Sequence, residues 1–309
     1  MSPAADSPAL RAARGTLFAI DQTATHDGPG LRMTVYFKGC PLRCRWCHSP
    51  ESLAPRPEVV WYEAKCRRCG ACAAACPEGL PPWFEQTESD RARCRQCGAC
   101  VAACRAEALE VKGFERTAGA VAEEAARLEP FFRRTGGGIT LTGGEPTMQP
   151  AFAHALAALC RQRGIHVAVE TCGAAPWDVL ERLAEDVSLW LYDLKDADPA
   201  RHRRHCGAEL GPVAENLRQL ARRGADVVVR VPLIPGANDS PHDVAAIARL
   251  ARRCGVARLT LLPFNPAAPG KYAWLRRTYP LPEAARQGEA QLERLAGVVR
   301  AAGLAVVPA

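Results

Sequence analysis

Eleven of the fifteen cysteines in this 309-residue chain lie between Cys40 and Cys104. Their spacing falls into three groups. Cys40, Cys44 and Cys47 read C-x3-C-x2-C. Cys66, Cys69, Cys72 and Cys76 read C-x2-C-x2-C-x3-C, followed by Pro77. Cys94, Cys97, Cys100 and Cys104 repeat that second spacing. In a reducing compartment structural disulfides are disfavoured, so thiols clustered this way point to metal. The duplicated runs offer enough thiolates for two four-iron clusters. Three thiolates hold three irons of a cubane and leave the fourth open to a ligand. Zinc, with His48 as a fourth ligand, is the alternative that the first spacing leaves open.

Such loops need a frame. Met33–Lys38 reads as a strand that delivers the chain to Cys40. Residues 49–113 are rich in Cys, Pro and Arg, with little room for long regular elements. From Phe114 onwards helices and strands alternate. Val121, Ala125, Leu128 and Phe132 share one helical face. Strands are expected at Ile139–Leu141, Val167–Glu170, Leu189–Asp193, Val227–Val231, Leu259–Pro263 and Leu304–Val307. Helices are expected between them, among them Ala151–Arg163, Trp177–Leu183 and Pro241–Arg253. Strands separated by helices pair in parallel. Polar residues gather just after the strands: Gly143–Glu145, Glu170, Asp193 with Lys195, and Asn265. Both a β/α barrel and a doubly wound sheet place their sites at those strand ends.

The segment GTLFAIDQTATHDGPGLRMTVYFKGCPLRCRWCHSPES, starting at Gly15, resembles the N-terminus of glycyl-radical-enzyme activating enzymes of the radical S-adenosylmethionine (SAM) superfamily. The stretches GGGITLTGGEPTMQP, VETCG, LYDLKDADP, RVPLIPGANDS and LLPFNPAAPGKY are similar to that family in the same order. The resemblance implies a partial (β/α)6 barrel built from residues 15–48 and 114–309, after a disordered lead-in at 1–14. It implies an oxidoreductase that cleaves SAM reductively to a 5′-deoxyadenosyl radical, which takes hydrogen from a glycine of a partner enzyme. Cys40, Cys44 and Cys47 would hold the SAM-cleaving cluster, with Lys195 beside it. SAM would be held by Trp46, Cys47, His48, Gly143, Gly144, Glu145, Glu170, Asp193, Leu194, Lys195 and Asn265. Glu170 stands where the family often has Asp, and Asn265 where it commonly has His. Asp27 and Glu170 are candidates to share a monovalent cation, and Arg230 could face the site.

Residues 49–113 resemble a bacterial two-cluster ferredoxin, in which the fourth cysteine of each run ligates the other cluster. That groups Cys66, Cys69, Cys72 and Cys104 on one [4Fe–4S] cluster and Cys94, Cys97, Cys100 and Cys76 on the other. Arg105 departs from the usual proline after the fourth cysteine. Three clusters follow in all, with flavodoxin or ferredoxin as the reductant. Rival readings are a radical SAM enzyme acting on a small molecule and an iron–sulfur electron-transfer protein.

Composition narrows the field. Apolar residues at 48% and charged residues at 24% are those of a folded globular chain. The N-terminal residues lack a signal-peptide core, and no run of about 18 apolar residues occurs, so a cytoplasmic protein without a membrane partner is expected. The formal charge of +7 falls to about +2 once the three clusters carry their thiolates, which weakens any case for nucleic acid. The remaining cysteines, Cys160, Cys172, Cys206 and Cys254, read as ordinary buried thiols. Anaerobic reconstitution should load about 12 irons per chain, from three four-iron clusters; colorimetric iron and protein assays check this.

Overall fold

A computed structural model describes residues 7–281 and 284–308. Nine of its eleven strands form one sheet. β1 (Arg14–Ala24) and β2 (Arg32–Phe37) open it, and β5 (Phe114–Thr117) lies beyond β1. On the other side of β2 come β6 (Gly138–Gly143), β7 (His166–Thr171), β8 (Leu189–Asp193), β9 (Val227–Pro232), β10 (Arg258–Leu262) and β11 (Ala305–Val306). β2 and β6 to β11 run parallel to one another. β1 is antiparallel to β2 and β5. The remaining two, β3 (Glu58–Trp61) and β4 (Leu109–Lys112), form a separate antiparallel ribbon.

The parallel strands alternate strictly. Met33, Val35, Phe37, Ile139, Leu141, Val167, Val169, Trp190, Tyr192, Val229, Val231 and Leu259 join the helices in one apolar core. Their neighbours turn the other way and are largely polar: Arg32, Thr34, Thr140, Thr142, Glu170, Asp193, Arg230 and Thr260. Ala168, Leu189, Leu191 and Val228 make a small apolar patch on that second face. Six strands laid flat at about 4.8 Å spacing span about 24 Å. Yet residues at the C-terminal ends of β6, β7, β8, β9 and β10, and the loop that follows β2, border one cavity of about 290 Å³. The sheet is therefore curled, with the polar face inside, and open between β5 and β11.

Several details differ from the sequence reading. The lead-in expected to be disordered at 1–14 contains a helix, Pro8–Ala12, and the first residue of β1; residues 1–6 lie outside the described chain. Ala118 N donates to Ala13 O at 2.8 Å, tying this segment to the following helix. The single helix through Phe132 is two, Ala118–Arg127 and Glu129–Thr135. Pro130 lacks an N–H and restarts the helix in its first turn. The insert carries β3, β4 and short helices.

The helix Pro150–Gln162 packs most deeply. Phe152 lies 5.4 Å from the Phe37 ring and over Gly15, where a Cβ would come within 2.2 Å of Phe152 Cδ1. Phe152→Ala should cost about 3–5 kcal/mol, the usual range for emptying such a site. A lowered urea midpoint with an unchanged slope is the expected reading.

Candidate functional site

The cysteine loop leaves β2 at Lys38, whose buried ammonium donates to Glu51 O at 2.6 Å. Gly39 follows at φ +93°, a region that favours glycine. Gly144 packs against it so closely that a Cβ would sit 2.2 Å from Gly39 O. Gly143, at φ +110°, has no room for a Cβ beside Phe37 N, 2.4 Å away. The two glycines thus let the β6 and β2 loops touch while both border the cavity. The cysteine loop is pinned on its other side by Arg43 N donating to Cys206 O at 2.8 Å and Arg45 N to His205 O at 2.9 Å.

Cys40, Cys44 and Cys47 all line the cavity, with Trp46, His48 and Asn265 near them. Trp46 is buried, edge-on to His205 with ring centres 5.7 Å apart. His48 Nε2 is buried without a hydrogen-bond partner, and burial, then Lys271, pushes its pKa down. An unpaired polar atom beside three thiols suits a site that receives a polar ligand. Asn265 Oδ1 accepts from Ala267 N at 3.0 Å, so its oxygen serves the turn. Its side chain is exposed at the cavity rim.

The opposite wall is charged. Lys195 Nζ donates to Asp193 Oδ2 at 2.9 Å, and Arg230 Nε donates to Asp193 Oδ1 at 3.1 Å. Arg230 also bonds Glu170, which accepts from Thr142 Oγ1 at 2.7 Å. Burial penalises the Asp193 carboxylate, yet Lys195 and Arg230 outweigh it and hold the pKa below the ordinary value. Burial likewise opposes the Lys195 charge, but Asp193 and nearby thiols raise its pKa well above the usual one. Glu170 goes the other way: burial raises it, and the pull of Arg230 only partly offsets this. Asp27 accepts from Thr34 Oγ1 at 3.1 Å and Tyr36 Oη at 3.4 Å. It lies in the fields of Arg32 and Arg230. A cation between Asp27 and Glu170 would compete with those guanidinium groups.

Two of the residues expected to hold SAM, Glu145 and Leu194, do not border the cavity. Glu145 is fully buried and does not border the cavity. Its carboxylate accepts from Thr147 Oγ1 at 2.9 Å, Thr171 Oγ1 at 2.9 Å and Cys172 N at 2.7 Å. It therefore fixes the β6 and β7 ends together. Leu194 points into the outer core, because its place after Asp193 puts it on the other face. Cys172, read as an ordinary thiol, borders the cavity beside Cys40. Its position directly after β7 was the available signal.

In the insert, the two cysteine runs fold alike. Gly70 and Gly98 have φ of +76° and +78°, and each starts a one-turn helix, Ala71–Ala74 and Ala99–Ala102. Arg68 N points to Cys66 Sγ and Gln96 N to Cys94 Sγ, both at 3.4 Å. One small cavity is bordered by Cys66, Cys69, Cys72 and Cys104. Another is bordered by Cys76, Cys94, Cys97 and Cys100. Each set draws its fourth thiol from the other run. The insert rests on Arg276, which donates to Gln86 O at 2.6 Å and to Trp83 O and stacks 5.7 Å from the Trp61 ring. No helix among the described residues is long and apolar enough to cross a membrane.

The family model of the Radical SAM superfamily matches residues 34–251. The isethionate sulfite-lyase activating enzyme of Nitratidesulfovibrio vulgaris is 40% identical, over 95% of this chain and 97% of its own. The choline trimethylamine-lyase activating enzyme of Oleidesulfovibrio alaskensis is 38% identical, over 93% and 95%. The benzylsuccinate synthase activating enzyme of Thauera aromatica is 37% identical, over 93% and 90%.

Arg230 is the cation that Glu170 and Asp193 share. Arg230→Leu strands Glu170, leaves Asp193 with Lys195 alone, and should cost about 3–5 kcal/mol. A fall in urea midpoint with unchanged iron per chain is the expected result.

Proposed function

We propose, for a chain that belongs to the radical SAM superfamily and matches its activating enzymes along nearly its whole length, that it installs a radical on a glycine of a partner glycyl radical enzyme. The observation that carries this reading is one cavity bordered by Cys40, Cys44, Cys47, Gly143, Gly144, Asp193 and Lys195. A [4Fe–4S] cluster with SAM bound would supply the reductive SAM cleavage and the radical that takes the glycine hydrogen.

The chain's own residues bind and orient. Cys40, Cys44 and Cys47 would hold the cluster by three thiolates, so that it could take the amino and carboxylate groups of SAM. Gly143 and Gly144 let those groups approach the main chain. Asp193 and Lys195, kept ionised by each other, offer one acceptor and one donor to the ribose and carboxylate. Trp46 would give the adenine an apolar wall, and Asn265 would meet its edge with the amide while Oδ1 holds the turn. Glu145 acts as a positioning residue through Thr171 and Cys172.

The reading extends to two clusters in the insert, on Cys66, Cys69, Cys72 and Cys104 and on Cys94, Cys97, Cys100 and Cys76. The crossed grouping of those thiols and the N–H groups aimed at Cys66 and Cys94 support it. A flavodoxin or ferredoxin would reduce the protein, and the partner's glycine loop would enter through the cavity mouth.

Replacing Cys40, Cys44 and Cys47 together by Ala should remove about four irons and abolish 5′-deoxyadenosine formation with dithionite. Retained SAM cleavage would refute the assignment. Asn265→Ala should weaken SAM binding in calorimetric titration at unchanged iron content, whereas Asn265→His should bind like the parent. Parental affinity in the Ala variant would leave Asn265 a turn residue only.

A further inference from the structure

The four cysteines outside the spaced groups divide in two. Cys160 is buried in the outer core, and Cys254 points its thiol at Ala214 O at 3.5 Å. Cys172 and Cys206 instead face the cysteine loop. Both belong to the apolar cluster under the cavity, with Leu42, Trp46, Ile234 and Phe264, against which Cys40 and Cys44 pack. Cys172 shares the cavity wall with Cys40, and Cys206 lies at the main-chain bond to Arg43, next to Cys44.

Each pair is tied through the main chain. Cys206 ends the helix Pro199–Cys206, and its carbonyl accepts from Arg43 N, directly before Cys44. The Cys172 amide is bound to the buried Glu145 carboxylate, and Glu145 N donates to Gly39 O, directly before Cys40. Cys40 and Cys44 pack against that cluster, and Cys47 is not among the residues that do. Two of the three motif cysteines therefore have a buried reserve thiol in the cluster they rest on.

We propose that Cys172 and Cys206 are modification sites: when iron is lost from the motif under dioxygen, they capture Cys40 and Cys44 as the disulfides Cys40–Cys172 and Cys44–Cys206. This rests on the reading of Cys40, Cys44 and Cys47 as cluster ligands. Each disulfide forms one S–S bond from two thiols and gives up two electrons and two protons. Dioxygen accepts both and leaves as hydrogen peroxide. Thiols packed in one cluster, on segments bonded to each other through the main chain, are kept near one another for this step. A disulfide is reversible by thiol exchange, whereas further oxidation to sulfinate is not. The pairs thus keep the site recoverable.

The test uses the full chain, reconstituted anaerobically, then exposed to air with an iron chelator. After alkylation without reductant and proteolysis, mass spectrometry should find the peptides of Cys40 and Cys172 joined, and those of Cys44 and Cys206 joined. Cys172 and Cys206 recovered fully alkylated, or Cys40, Cys44 and Cys47 linked only among themselves, would overturn the proposal. In a second arm, parent and the Cys172→Ser, Cys206→Ser double variant pass through air, thiol reduction and renewed reconstitution. Iron recovered, relative to each protein's own content before exposure, should be several-fold lower in the variant, with sulfinate on Cys40 and Cys44. Equal recovery would refute the protective role. Iron content before exposure, compared with that of the triple Cys→Ala protein, separates a failed cluster assignment from failed thiol pairing.

Discussion

A guanidinium inside a curled sheet must find carboxylates, and here Arg230 finds two. It reaches Glu170 on β7 and Asp193 on β8 from its own strand β9. Removed from water, none of the three could stay charged alone. Asp193 in turn fixes Lys195, and Glu170 fixes Thr142 on β6. Four neighbouring strands are thereby tied across their polar face at one level. The outer face relies mainly on apolar packing, with Tyr192 Oη donating to Val213 O at 2.6 Å, so the sheet divides its tasks by face: apolar packing outside, charge inside.

The second organising feature is close approach of backbone. The loops after β2 and β6 touch through Gly39, Gly143 and Gly144, and Glu145 sits behind them with its carboxylate fully bonded. Without a side chain in the way, the cysteine loop can lie directly over the strand ends. Its far side is held by main-chain bonds to His205 and Cys206. The thiols are thus carried on a loop, but that loop is fixed along both sides.

Much of this was legible in the sequence. The strands from Gly138 to Leu262 fall within a residue or two of expectation, because apolar and polar residues alternate and helices with clear caps or proline starts separate them. β1 was not legible: its second half, Asp21 to Ala24, is largely exposed and carries no apolar alternation. The helix Pro199–Cys206 is mostly basic and has no apolar face to read. Spacing revealed which cysteines belong together when they are close in sequence. It could not reveal Cys172 beside Cys40 or Cys206 beside Cys44, since those pairs span more than a hundred residues of folded chain. Nor could it give the direction of Glu145, because strand periodicity lapses in the turn after Gly143.

The insert meets the rest of the protein in a particular way. Arg276 bonds the carbonyls of Trp83 and Gln86 and no side-chain atom of either residue. A carbonyl is the same whatever residue bears it. At residues 83 and 86 the seat therefore constrains the course of the insert's chain and not its composition, so both can drift over evolutionary time as far as Arg276 is concerned, whereas the Trp61 ring under the same guanidinium is a side-chain contact. Redesign can exploit that latitude: a different two-cluster module could be grafted at this position if it presents two carbonyls and an aromatic ring to one guanidinium.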